Sequence, residues 1–452
     1  MLSWLKPTCP VDLREKVWTE QRLGWLVEQF GLRRMVDAEV ILPTSAYFPE
    51  PYTGTPDDVR VVLDRVCGYM QVDATRIDLE FYRAEDRPDA VGLYEPGRRP
   101  TIHVSDSPLD DKEQLIATLA HEVAHDLLLG DGLLTGEEED HEHVTDLLMA
   151  FLGIGLFAAN SAVKQQASNS VGWEYWSISK QGYLPARIFG YTFALISWLR
   201  GERKQPPWTA FLGADAQCAH RDGLKFLLKT GDSLLDPDGA VRGDGRRSPS
   251  QLITDLQASS ASRRLAAVWV FDQCGDPSKD AVGALRACLR DGEPILRCEA
   301  SRMLPTIAEP EQAIINELLE GLRDRSGQVR AHFATALGVL QTPLDAVSPD
   351  GVTVQEEFQL LLEDQDPSVV NAAAGALGHY QSAAAELAPL LVPTLSKALI
   401  HCKYETIDIL IGVLAAIRPD VQEFLSEHLA ADPELHQLAA DSLSRISHSE
   451  VP

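Results

Sequence analysis

The chain has 452 residues, 45% of them hydrophobic and 24% charged; it is too long for one ordinary core and too apolar for global disorder, so two or three domains are expected. Its 40 basic and 67 acidic residues give a formal net charge of −27, a surface that repels nucleic acid and anionic lipid, so neither is expected as a partner. Seven cysteines at wide spacings, without a CxxC pair, argue against a disulfide framework and fit reduced thiols in a cytoplasmic setting.

The N-terminal MLSWLKPTCP is only briefly apolar and is not read as a signal peptide. Residues 11–30 carry apolar side chains at helical spacing, and Gly31 is a stop. AEVILP reads as a short strand. Residues 55–70 read as a helix capped by Thr55, with an acidic first turn. IDLEFY (77–82) and TIHVS (101–105) read as two strands separated by a turn-rich segment. A helix then starts near Ser107, Pro108 and Asp110 and runs to Gly130. A second helix is expected from Thr135, with Glu138 three residues on, to about Asn160. The uncharged run Leu147–Val163 is too short to span a bilayer as a helix and reads as core. ARIFGYTFALISWL (186–199) reads as a mostly buried helix, and residues 231–250 as a polar linker or loop. Beyond it, the segments starting at 289 and 322 align at a spacing of 33 residues, and that at 362 follows at 40. Each has an Asp-containing turn before a helix with a small, aliphatic face, the pattern of stacked helix pairs.

The chemistry concentrates in HEVAH, residues 121–125. On a helix, His121 and His125 fall on one side within about 40° of each other, and Ile116, Leu119, Val123 and Leu127 lie roughly opposite. Two neutral imidazoles four residues apart are what a zinc ion takes from one helix. Glu122, beside that pair, suits a general base acting on water. A third ligand is needed, and Glu142 and Asp146 repeat the four-residue spacing on the next helix. In an antiparallel hairpin closed by 130–135, Glu142 would ligate and Asp146 would accept a hydrogen bond from one ligand imidazole, fixing its tautomer. His141, His143, Glu138 and Glu139 compete for the third position.

HEVAH followed by EHVTD (142–146) resembles the HExxH…ExxxD signature of gluzincin metallopeptidases over roughly 75–160. That resemblance implies a bound Zn2+, hydrolysis of a peptide or protein substrate with Glu122 as general base and then proton donor to the leaving amine, and a strand along the cleft. TIHVS is the candidate strand edge for an extended peptide. Larger relatives add a Tyr or His as oxyanion donor. Tyr175, Tyr183, Arg187 and Tyr191 lie in the matching part of the chain, but core packing is the better reading of each, and none enters the catalytic set. The helical pattern over roughly 255–447 resembles HEAT repeats, which implies a protein-binding surface without chemistry of its own. The expected organisation is α-dominated and multidomain: an α+β zincin-like metallopeptidase domain with a small sheet (1–230), a linker (231–254) and an α-solenoid of HEAT-like repeats (255–452). The alternative is a non-catalytic interaction or sensor protein whose zincin domain is structural or regulatory; hydrolysis of a non-peptide amide or ester is a third reading.

Overall fold

In the computed structural model, which describes residues 7–83, 85, 92–106, 111–161, 184–236, 249–271, 278–309, 311–401, 403–430 and 432–449, the helices begin largely where the sequence offers caps. Asp12 and Glu15 exchange side-chain-to-backbone hydrogen bonds at the start of α1 (Leu13–Phe30), and Gly31, at φ 87°, ends it. A short α2 (Leu32–Val36) follows. Thr55 and Asp58 form the same reciprocal cap on α3 (Pro56–Met70). AEVILP is not a strand: its Ile41 amide donates to the carbonyl of Gly153 instead (2.9 Å), so the segment pairs with a helix end rather than a sheet.

Three strands form the sheet: β1 (Asp78–Tyr82), β2 (Gly92–Glu95) and β3 (Thr101–Ser105), in the order β1-β3-β2. β1 runs parallel to β3, and β2 antiparallel to it. This corrects two expectations. The turn-rich segment contains a strand, and TIHVS lies in the middle of the sheet, so both its edges are used; among the described residues the outer strands are β1 and β2, and β2 is the one beside α4.

The next helix, α4 (Lys112–His125), starts from Asp111, whose carboxylate accepts from the amides of Glu113 and Gln114; the expected cap at 107–110 lies outside the described residues. The chain then makes a π-helical turn, Asp126–Gly130. α5 (His141–Phe151) begins six residues later than expected, because Glu138 and Thr135 close a turn on each other instead of opening a helix. It also ends early, since Gly153 at φ 87° reverses the chain before a further helical stretch at 156–161. Within the run expected to be core, residues 147–159 are buried, Asn160 and Ser161 are half-buried, and 162–163 lie outside the described residues. Helices α6 (Ala186–Leu199) and α7 (Ala214–Thr230) pack on each other. A buried polar network joins α1 to the segment after α7: Lys16 pairs with Glu20 (3.1 Å), which accepts from the Tyr191 hydroxyl and the Leu234 amide, both at 2.6 Å.

All of this lies in one compact unit, Met1–Asp244; Gly245–Pro452 forms another. The second unit is helical: α8 (Pro249–Leu256), α9 (Ala261–Phe271), α10 (Lys279–Cys288), α11 (Pro294–Ile307), α12 (Gln312–Gly321), α13 (Gly327–Val339), α14 (Val354–Leu362), α15 (Pro367–Gly378), α16 (Ala388–Ile400), α17 (Tyr404–Ile417), α18 (Val421–His428) and α19 (Pro433–Ser449). The odd-numbered helices from α9 to α19 pack in succession, and from α10 on each even-numbered helix packs on the one that follows it. Arginines at a 33-residue interval link the pairs: Arg264 to Asp291, Arg297 to Asp324 and Arg330 to Asp364, at 2.7, 2.9 and 2.8 Å. Each also donates to carbonyls of the turn before its own helix. The wider 40-residue spacing comes from a turn after α13, closed by a bridge between Val347 and Thr353. Among the described residues one stretch, Gln381–Ile400, is long and apolar enough to cross a membrane by length and composition; its Leu387, Leu391, Leu395 and Leu399 are buried in this unit.

Candidate metal centre

α4 is buried along its whole length from Leu115, so His121 and His125, one turn apart, are held in a rigid setting. α5 is fixed by Asp140, just before it, whose carboxylate accepts from the Trp18 indole (2.8 Å) and in a bidentate fork from Arg22 (2.7 and 2.6 Å). That anchorage to α1 places Glu142 in the first turn of α5, opposite the two histidines. Ligand atoms of His121, His125 and Glu142 all lie within 4.8 Å of one another. Glu142 Oε2 stands 2.9 Å from His121 Nε2 and 3.4 Å from His125 Nε2. Donors about 2.0–2.1 Å from a tetrahedral zinc stand roughly 3.3 Å apart, so the spacing fits a small divalent cation.

The far side of each ring fixes its tautomer. His121 Nδ1–H donates to Asp146 Oδ1 (3.0 Å), and Asp146, fully buried, is itself held by the Leu184 amide on Oδ2 (2.8 Å). The Thr145 hydroxyl donates to the His141 carbonyl (2.8 Å), which leaves its oxygen to accept from His125 Nδ1–H (3.3 Å). With both Nδ1 atoms donating, both Nε2 lone pairs face a carboxylate oxygen. A divalent cation satisfies all three donors at once; otherwise only a proton relieves their repulsion. The electrostatics agree. Burial opposes charge on His121, yet its hydrogen bonds to Asp146 and Glu142 outweigh burial and raise its pKa well above the ordinary value. Burial also opposes charge on Glu142, but its contacts with His121 and His125 hold it far below the usual carboxylate range. Burial lowers the pKa of His125, keeping it a neutral donor.

Glu122 is 5% exposed and has no hydrogen-bond partner among the described residues. Burial first, and the nearby Glu142 second, push its pKa up to about 7 against the pull of His121. β2 runs alongside. A Cβ at Gly92 would lie 2.5 Å from Glu122 Oε1 and 2.6 Å from Thr118 Cγ2, so the strand approaches the base as closely as a glycine allows.

Among the described residues the competitors for the third position, His141, His143, Glu138 and Glu139, stand outside the cluster of His121, His125 and Glu142. His143 packs edge-on against Trp18, with ring centroids 6.0 Å apart. Glu138 accepts from the Thr135 amide, and its own carbonyl accepts from His141 Nδ1–H (2.7 Å). His141 Nε2 lies against the other oxygen of Glu142, at 3.1 Å. Of the four oxyanion candidates, Tyr175 and Tyr183 lie outside the described residues, Arg187 pairs with Glu15, and Tyr191 is fully buried on Glu20. Sequence reasoning missed Thr145, Gly92 and the Leu184 amide. Thr145 was within reach, since it stands inside EHVTD one residue before Asp146; Gly92 needed the strand around it.

No family model matches the chain, and no match is found among the curated proteins. The functional reading therefore rests on the geometry and chemistry of these residues.

Proposed function

We propose that the first unit is a zincin-like, gluzincin-type domain and that the protein is a zinc-dependent peptidase. The observation that carries the reading is the convergence of His121 Nε2, His125 Nε2 and Glu142 Oε2, with the Nδ1–H groups of both rings held from behind by Asp146 and Thr145. Two nitrogens and one carboxylate oxygen are a donor set suited to Zn2+ with a coordination position left for water. The metal, when bound, acidifies a water and polarises a carbonyl.

The remaining steps belong to this chain. Glu122, buried beside the three metal-facing atoms, takes a proton from the attacking water and returns it to the leaving amine. A fully solvated carboxylate would hold that proton too weakly, and burial supplies the difference. The outer edge of β2, unpaired among the described residues, aligns an extended peptide by strand addition, with Gly92 keeping its backbone near Glu122. The second unit is read as a HEAT-like α-solenoid that recruits a protein partner or substrate, supported by its successive helix packing and its arginine–aspartate links.

A peptide-library digest by zinc-loaded protein, run beside Glu122→Gln, tests the activity. Cleavage by the parent and a loss of about 10²–10⁴-fold in the variant, with zinc retained, are expected. Equal cleavage by both would remove Glu122 from the chemistry. A parent that holds zinc yet cleaves no peptide would favour the non-catalytic interaction or sensor protein.

A further inference from the structure

We infer that Tyr94, anchored by Asp126, is a positioning residue that sets the ring plane of His125 and the height of β2 above Glu122; this rests on the metal reading above. One hydrogen bond to Thr145, at 3.3 Å, fixes an axis through the His125 ring but leaves rotation about that axis. The His121 ring meets that of His125 edge-on, with centroids 4.7 Å apart, and a further ring contact comes from β2. Tyr94 is 9% exposed, and its ring lies nearly parallel to His125, at 24° with centroids 6.4 Å apart, an offset stack.

Tyr94 is held in turn. Its hydroxyl donates to Asp126 Oδ1 (3.1 Å), and the Arg76 guanidinium pairs with Asp126 Oδ2. Asp126 is 1% exposed, so its carboxylate depends on these two partners. It is also the residue after His125, where the backbone passes from α to π geometry, a departure that recurs at functional sites. The π turn closes tightly on the pair, for a Cβ at Gly130 would lie 2.6 Å from Tyr94 Oη and 3.0 Å from Asp126 Oδ1. Gly92 and Tyr94 are two residues apart and so share a face of the strand. One meets Glu122 and the other His125, so a shift of Tyr94 moves β2 relative to both the base and the ligand.

The test needs only metal ions. Zn2+ affinity is measured by chelator competition, and the ligand field by the visible absorption of the Co2+ form, for the full-length parent, Tyr94→Leu, Tyr94→Phe and Gly130→Ala. Tyr94→Leu is expected to weaken Zn2+ binding by about tenfold and to alter the Co2+ bands, the scale on which outer-shell groups act. Tyr94→Phe keeps the ring and should recover most of that loss. Gly130→Ala touches no ligand, but by displacing Tyr94 it should alter the same bands. Folded Tyr94→Leu and Gly130→Ala proteins with the parent's affinity and spectrum would overturn the inference; should Tyr94→Leu fail to fold, Gly130→Ala decides alone. A parent that takes up neither ion overturns the metal reading itself.

Discussion

Glu122 and Gly92 define each other. The base is buried without a hydrogen-bond partner among the described residues, and the strand beside it has no side chain where one would collide with its carboxylate. Gly92→Ala should therefore displace Glu122 while leaving the three metal-facing atoms alone. The expected outcome is a loss of peptide cleavage of about 100-fold with unchanged zinc content, checked by assaying both on one preparation. Loss of zinc as well would mean that the added methyl shifts β2 as a whole, Tyr94 and His125 with it, rather than Glu122 alone. At this scale much of the site was legible in the sequence. The four-residue spacings in HEVAH and EHVTD select one side of each helix, and Glu142 and Asp146 do meet His121. Thr145 stands in view inside EHVTD, but its part depends on where its hydroxyl proton goes, which the His141 carbonyl settles.

Elements were legible where local chemistry decides them and not where a distant partner does. α1 and α3 start at reciprocal caps within four residues of sequence. β2 is four residues long in a turn-rich segment and exists through its pairing with β3. AEVILP has strand-like residues but meets a helix end. The α6–α7 pair offers a pH test. His220 on α7 is fully buried, with Ser197 at 3.1 Å from Nε2 and Trp208 edge-on. Burial lowers its pKa to about 4, whereas an unfolded histidine titrates near 6.5. Between these values the unfolded chain binds the proton and the folded one does not, so stability falls as the pH drops from about 6.5 and levels off below about 4. The full loss from this group is roughly 3 kcal/mol. Urea unfolding followed from pH 7 to pH 4 should show a shallower decline for His220→Gln than for the parent. Parallel declines would assign the acid sensitivity to other groups.

Over the whole molecule, an acidic, α-dominated chain carries two kinds of polar organisation. The first unit concentrates buried imidazoles and carboxylates at one place; the second repeats one arginine–aspartate link at a regular interval. Burial decides which links matter. Arg330 and Asp364 are largely covered, at 19% and 14% exposed, whereas Arg290 and Glu320 are open at 55% and 64%. Arg330→Ala should destabilise the second unit by about 1.5–3 kcal/mol, and Arg290→Ala by less than about 1 kcal/mol, read as shifts of the denaturant midpoint. Equal shifts would show that these links do not hold the helix pairs together. The repeat interval was legible from residues 289 and 322 because a link of this kind needs the same residues at the same offset; the 40-residue step was not explained until the bridge between Val347 and Thr353 accounted for the added turn. The most direct test of the central claim is the zinc content of the purified chain, determined by elemental analysis for the parent, His121→Ala and Glu142→Ala. One tightly held zinc per parent chain, lost in both folded variants, is the predicted result. A parent without zinc, or variants that keep it, would contradict the convergence of these side chains on a metal.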